Sequence, residues 1–282
     1  MLSRRPLRAS LQVFSDLFEM KYLFDDKDGI IREVRSKDHR TFFLDYDGTL
    51  TPIVQDPQKA FLSPKYREVL ASLLGDKKNF VCIISGRAIE QLEGFIDLKG
   101  IALAGNHGME IAGPDISYVN DGALRTKPLL REIAEMLKWK LCDLDGVLVE
   151  DKGLTVSVHY RMVPVKRRPS LKRLFYREME KFLASNTIIV TRGKKVLEVR
   201  PNVVWNKGDA VRWILGHLSD RPLREKPYPI YMGDDHTDED AFKALKGWGL
   251  TVRVSPRHGA SKAAYFIKSV EEGYQFLGFF VP

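Results

Sequence analysis

The chain is poor in cysteine. Cys82 and Cys142 are its two among 282 residues, too few for a disulfide framework or a four-cysteine zinc site. A reducing compartment, the cytoplasm, is therefore the default expectation. Long apolar runs are missing as well. None approaches the ~18 residues a membrane-spanning helix needs, so no membrane partner is expected. There is no internal repeat and no low-complexity tract. The positive charge is not gathered either. The net charge is +8 and the pI about 9.3, yet Lys and Arg are scattered, apart from short clusters such as Lys166–Arg167–Arg168 and Lys194–Lys195. Without a basic stripe interleaved with aromatics, nucleic acid is not an expected partner, whereas an anionic small molecule suits the charge. Acid is absent from the first stretch, MLSRRPLRASLQVF. Such a start is shared by organelle transit peptides, but we read it as an N-terminal helix or the cut end of a longer chain.

What is present is a soluble composition, 44% hydrophobic and 29% charged, with chain enough for a sizeable core. Four short apolar runs each end in a polar cluster. TFFL (41–44) runs into Asp45, FVCII (80–84) into Ser85-Gly86-Arg87, IALA (101–104) into Gly105-Asn106-His107-Gly108, and PIYM (229–232) into Gly233-Asp234-Asp235. Continuous apolar runs of this length read as parallel strands buried on both faces. The stretch 63–75 between the first two, SPKYREVLASLLG, reads as a helix with a Ser cap, Pro in its first turn and a Gly stop. Open parallel sheets bind ligands beyond the carboxyl ends of their strands, so the four clusters are expected on one sheet edge.

The middle of the chain differs. A helix is predicted over 127–141. An alternating hairpin follows over 146–163 with Asp151-Lys152-Gly153 at its turn, then a basic helix over 170–184 and a second hairpin-like pair over 187–201. A helix over 206–218 returns to the first pattern. The expected fold is α/β: a doubly wound, Rossmann-like parallel-sheet core (38–114 and 200–282) with a smaller α+β cap domain (115–199) inserted in it. Residues 1–37 form an N-terminal segment of unassigned role.

Asp45, Asp47, Asp234, Asp235 and Asp238 would crowd acid at that edge. Unbalanced, they would raise one another's pKa and destabilise the fold. A hard cation such as Mg²⁺, which takes one or two carboxylates plus substrate phosphate, removes the problem. Lys207 and Arg87 add positive charge and Ser85 a hydroxyl, a set suited to a metal-bridged phosphoryl group. Asp45 is then the nucleophile and Asp47 the acid and base.

DYDGT, an apolar strand ending in SGR, then NKG, then GDDHTDED resemble, in that order, the four motifs of the haloacid-dehalogenase-like phosphatases. LDYDGTLTPIV, GNHGME, VEDKGLTVSVHYR, KKVLEVRP and GDDHTDEDAF, spanning about 42–242, resemble the trehalose-6-phosphate phosphatases of the α/β-capped branch. The resemblance implies Mg²⁺-dependent hydrolysis of trehalose 6-phosphate through an aspartyl-phosphate on Asp45. Metal ligands would come from Asp45, Asp47, Asp234, Asp235 and Asp238, and phosphate contacts from Ser85, Gly86, Lys207 and Thr49. Asn106, His107, Glu110, Glu150, Lys152, Arg161, Lys194 and Glu198 would meet the sugar. A trehalose-phosphate synthase is the protein partner it suggests. The alternatives are another capped phosphatase, acting on sucrose 6-phosphate or a mannosyl phosphate, and a non-catalytic phosphosugar-binding subunit of a trehalose-making complex.

Overall fold

The computed structural model describes residues 18–220 and 226–282; the acid-free start, residues 1–14, lies outside them. In chain order come β1 (Phe18–Glu19), β2 (Lys21–Tyr22), α1 (Lys27–Arg35), β3 (Arg40–Leu44), α2 (Pro64–Gly75), β4 (Asn79–Ile84), α3 (Ile89–Ile96) and β5 (Ala102–Gly105). β6 (Glu110–Gly113), β7 (Ile116–Val119), α4 (Asp121–Leu141), β8 (Leu148–Asp151), β9 (Val156–His159), α5 (Arg168–Leu183), β10 (Ile188–Gly193) and β11 (Val196–Pro201) follow. The chain closes with α6 (Lys207–Ser219), β12 (Tyr228–Gly233), α7 (Asp238–Ala244), β13 (Leu250–Val254), β14 (Ala260–Ser261), β15 (Tyr265–Ile267) and α8 (Val270–Gly278). Among the described residues no helix is long and apolar enough to cross a membrane. The chain divides into two compact units. The first holds the described residues up to Pro52, with Leu62–Ile83 and Lys207–Pro282; the second holds Ile53–Phe61 and Ile84–Asn206.

The first unit is built on parallel strands in the order β2-β15-β13-β12-β3-β4. All five residues of β3, RTFFL, are buried, which is why its sequence does not alternate: helices cover both faces of such a sheet. α2 starts where Ser63 predicts, with Pro64 in its first turn and Ser63 Oγ accepting from the Tyr66 amide at 3.4 Å. Register sets the chemistry. Leu44 lies beside Met232 on one side and Ile83 on the other, so β3, β12 and β4 end at one level and Asp45 follows directly.

The second unit contains two antiparallel groups, β5-β6-β7 and β10-β11-β9-β8. β5 pairs antiparallel with β6, because the chain turns straight back after Gly105-Asn106-His107-Gly108. In the four-stranded sheet the period of two separates the faces. Val156, Val158, Leu197 and Val199 pack with Leu130, Ile133 and Leu137 of α4 and Leu171, Phe175 and Met179 of α5. The opposite face carries Thr191, Glu198, Ser157 and Glu150 in one row, each paired in register with the next. α4 starts six residues before the predicted helix. Asn120 caps it by accepting from the Ala123 amide at 3.0 Å, and Pro128 sits inside it.

Candidate active site

In the first unit the loop after β3 is wound tightly. The amides of Thr49, Leu50 and Thr51 all donate to the Tyr46 carbonyl, and the Gly48 amide donates to the Thr51 carbonyl at 2.7 Å. Gly48 has φ +94°, and a Cβ there would run into the Asp234 carboxylate, so glycine is what lets the β3 and β12 loops close on each other. At the end of β12, a Cβ on Gly233 would likewise strike Asp238.

Asp45, Asp234 and Asp238 converge there, each offering an oxygen within 4.8 Å of the others. Lys207, at the start of α6 and 2% exposed, donates to Asp45 Oδ1 and to Asp238 Oδ1, both at 2.7 Å. Asp238 also accepts from the Tyr231 hydroxyl at 2.7 Å and from the Asp235 amide at 3.0 Å. Its oxygens are thus largely taken by the protein, and it orients Lys207 and the loop. Asp235 accepts from the Thr237 amide and hydroxyl at 2.8 and 2.6 Å. Thr49 is fully buried, and its hydroxyl has no hydrogen-bond partner. Asp47 is half-buried in the same loop and bridges to Thr51.

Burial pushes the Asp45 carboxyl well above its ordinary range; Lys207 opposes the rise, while Asp238, Asp234 and Asp235 add to it. Lys207 loses to burial but gains more from Asp238 and Asp45, and its ammonium is held well above the usual lysine value. Asp235 is also penalised by burial, yet Lys207 and the Thr237 donors bring it down to about 2. Several carboxylates thus share a small buried space with Lys207. A divalent cation with oxygen ligands fits this donor set and would relieve the repulsion that raises Asp45.

The remaining residues predicted for the site lie in the second unit. Ser85 and Gly86 follow β4 directly; Ser85 is buried and its Oγ accepts from the Arg87 amide at 3.3 Å. Asn106 and His107 adopt left-handed backbone, φ 48° and 59°, held by amide donation to the carbonyls of Arg87 and Ser85, each at 2.7 Å. Asn106 is fully buried and spends its side chain on Glu110, the Lys152 carbonyl and Thr155. Glu110 caps α3 by accepting from the Ile89 amide at 3.2 Å, and burial raises its pKa against that bond and the one from Asn106.

His107 Nε2 stands 3.1 Å from Glu198 Oε2, and Lys152 Nζ lies 3.7 Å from Glu198 and 3.8 Å from Glu150 while donating to the Gly86 carbonyl at 2.9 Å. Burial alone would raise both glutamates. His107, Lys152 and Arg200 hold Glu198 far below its ordinary value instead, and His159, Lys152 and Gln91 bring Glu150 down to about 2. Arg161 spends its guanidinium on the carbonyls of Val54 and Lys194, at 2.7 and 2.9 Å, and Lys194 is exposed.

Three participants escaped the sequence reading. Tyr231 looked like one more core residue of an apolar strand. His159, which alternation alone marks as a strand residue, contacts Glu150 at 3.0 Å. Gln91 carried no sequence signal at all, and it donates to Glu150 from α3.

A family model described as Trehalose-phosphatase matches residues 43–271. The chain is 35% identical over 262 residues to trehalose-phosphate phosphatase B of Arabidopsis thaliana, covering 89% of this chain and 68% of that one. Identity is also 35%, over 253 residues, to probable trehalose-phosphate phosphatase 3 of Oryza sativa subsp. japonica, covering 83% and 67%. The fold matches the C. albicans trehalose-6-phosphate phosphatase C-terminal domain with a TM-score of 0.78 at 27% identity, over 94% of this chain and 98% of that one. At 16% identity, the C-terminal domain of a Candida albicans trehalose synthase regulatory protein shares the fold, with a TM-score of 0.65 over 89% of this chain and 97% of that one.

Proposed function

The chain belongs to the trehalose-phosphatase family, and on that premise we propose that it hydrolyses trehalose 6-phosphate to trehalose and inorganic phosphate, with Asp45 as nucleophile. The observation that carries this reading is the buried Asp45 at the end of β3, paired with Lys207 and grouped with Asp234 and Asp238. An Asp45 carboxylate oxygen attacks phosphorus, and the bond from phosphorus to the sugar's O6 breaks. Asp47 gives its proton to the departing oxygen. Asp47 then takes a proton from water as that water attacks the aspartyl phosphate, which releases phosphate and restores Asp45. Lys207 balances charge on the phosphoryl oxygens and favours the ionised form of Asp45 against its burial. Asp45 and Asp234 would hold Mg²⁺, with Asp47, Asp235 and Asp238 in support, and the ion would further neutralise that charge.

Ser85, Gly86 and Thr49 complete the phosphate contacts in this reading. The sugar is read by Glu150, Lys152 and Glu198, with Asn106, His107, Glu110, Arg161 and Lys194 as their support, and residues 115–199 act as the cap. Fixed polar partners of this kind reject a wrong sugar by leaving buried groups unpaired. In this reading the enzyme works in the cytoplasm, the reducing compartment that suits a chain with two cysteines, and a trehalose-phosphate synthase is the protein partner the reading implies.

The test is phosphate release from trehalose 6-phosphate, sucrose 6-phosphate, glucose 6-phosphate and p-nitrophenyl phosphate, with Mg²⁺ and with EDTA. Metal-dependent preference for trehalose 6-phosphate is expected. Metal-dependent activity with another preference would keep the Asp45 chemistry and discard the sugar assignment. A folded protein that releases no phosphate would favour the binding-subunit reading.

A further inference from the structure

Gln91 lies in the first turn of α3, whose start is fixed by Glu110 capping Ile89. Its Nε2 donates to Glu150 Oε1. The same carboxylate has His159 Nε2 at 3.0 Å and Lys152 Nζ at 3.8 Å from its other oxygen. An ionised carboxylate only accepts, so the Gln91 amide has to turn its NH₂ group toward Glu150. Its carbonyl oxygen is thereby fixed on the opposite side. That Oε1 is buried and has no hydrogen-bond partner. Leaving a buried acceptor unpaired is costly, and such a group in a native fold calls for an explanation. Gln91 thus borders the polar cluster of Glu150, Lys152 and His159 through its nitrogen, its oxygen stays without a partner, and Lys152 is already engaged by the Gly86 carbonyl. A neutral carbonyl oxygen there suits a neutral donor, and a sugar hydroxyl is one.

We propose that Gln91 is a specificity-determining residue: its amide nitrogen orients Glu150, and its amide oxygen accepts a hydrogen bond from a hydroxyl of the sugar. This rests on the sugar-phosphatase reading above. Gln91 would then contribute two things at once. It makes one hydrogen bond that an aryl phosphate cannot supply, and it keeps Glu150 in place for a second. Being anchored on a helix rather than a loop, it holds both with little freedom.

The test compares wild type, Gln91→Met and Gln91→Asn, measuring kcat and KM for each sugar phosphate and for p-nitrophenyl phosphate, together with inhibition by the free sugar. Gln91→Met keeps the length and removes both polar atoms. It is expected to lower kcat/KM for the preferred sugar phosphate about 10–100-fold, mostly through KM, and to weaken inhibition by the free sugar in step. Aryl phosphate turnover should stay within about twofold. Gln91→Asn, with the amide one methylene short, should fall between, and it carries the comparison if the Met variant does not fold. Equal losses on sugar and aryl substrates would mean a merely structural role and overturn the proposal, as would an unchanged sugar preference. A wild type preferring a sugar phosphate other than trehalose 6-phosphate would sink the substrate assignment alone, and Gln91 would be judged on that other sugar. A wild type with no preference for any sugar over the aryl group would sink both.

Discussion

Lys207 is held between two buried carboxylates, and this fixes what its loss does. Lys207→Met would leave Asp45 and Asp238 without the cation they share, in a space where neither is solvated. Breaking such a pair from one side costs about 3–5 kcal/mol. Urea unfolding in EDTA should register that loss, and Mg²⁺ should return part of it by restoring positive charge. An unchanged midpoint would show that the pair is more hydrated than its burial implies. Asp45→Asn has the opposite sign. It removes a carboxylate that burial and three acidic neighbours already disfavour, so stability in EDTA should be equal to wild type or higher. Phosphate release should meanwhile fall by roughly three orders of magnitude or more. A folded, active Asn variant would end the nucleophile assignment.

The β8–β9 hairpin is the element whose charges most depend on pH. Glu150 in isolation titrates near its reference value of 4.5, and in the folded protein near 2. A depressed carboxylate stabilises the fold fully above the unfolded value and loses that contribution as pH falls through the folded one. The stability gap between wild type and Glu150→Gln should therefore be widest above about pH 5 and narrow toward pH 2, by up to about 3 kcal/mol. A gap that stays flat across unfolding curves at pH 7, 5, 4 and 3 would deny the Glu150–His159–Lys152 contacts any electrostatic weight.

Elements also mark what the sequence could convey. β3, β4 and β12 were legible because strands buried on both faces are written as unbroken apolar runs, and Asp45 and Asp234 because they interrupt those runs. The start of α4 was not, since Pro128 mimics a first turn and the true cap, Asn120, stands eight residues earlier. Gln91 and His159 take their meaning from Glu150, across 59 and 9 residues of chain, and no local pattern records such a meeting.

For the whole molecule, a bound cation should stabilise one unit and spare the other. Mg²⁺ at about 100 times its Kd would add about 2.7 kcal/mol to the state that binds it. Hydrogen exchange should slow around residues 45–51 and 233–238 on adding Mg²⁺ and stay unchanged along β8–β9. Slowing spread evenly over both units would argue against a site confined to the first.

The first unit is drawn from chain on both sides of the second, and this bears on how the protein is made. β3 lies in the sheet between β4 and β12, and on a ribosome β12 emerges some 180 residues after β3, roughly 10–40 s at ordinary elongation rates. The second unit can fold within that interval. The apolar strand carrying Asp45 has to wait, half-paired, for its partner, so the segment with the central chemistry is open to wrong pairing for that interval.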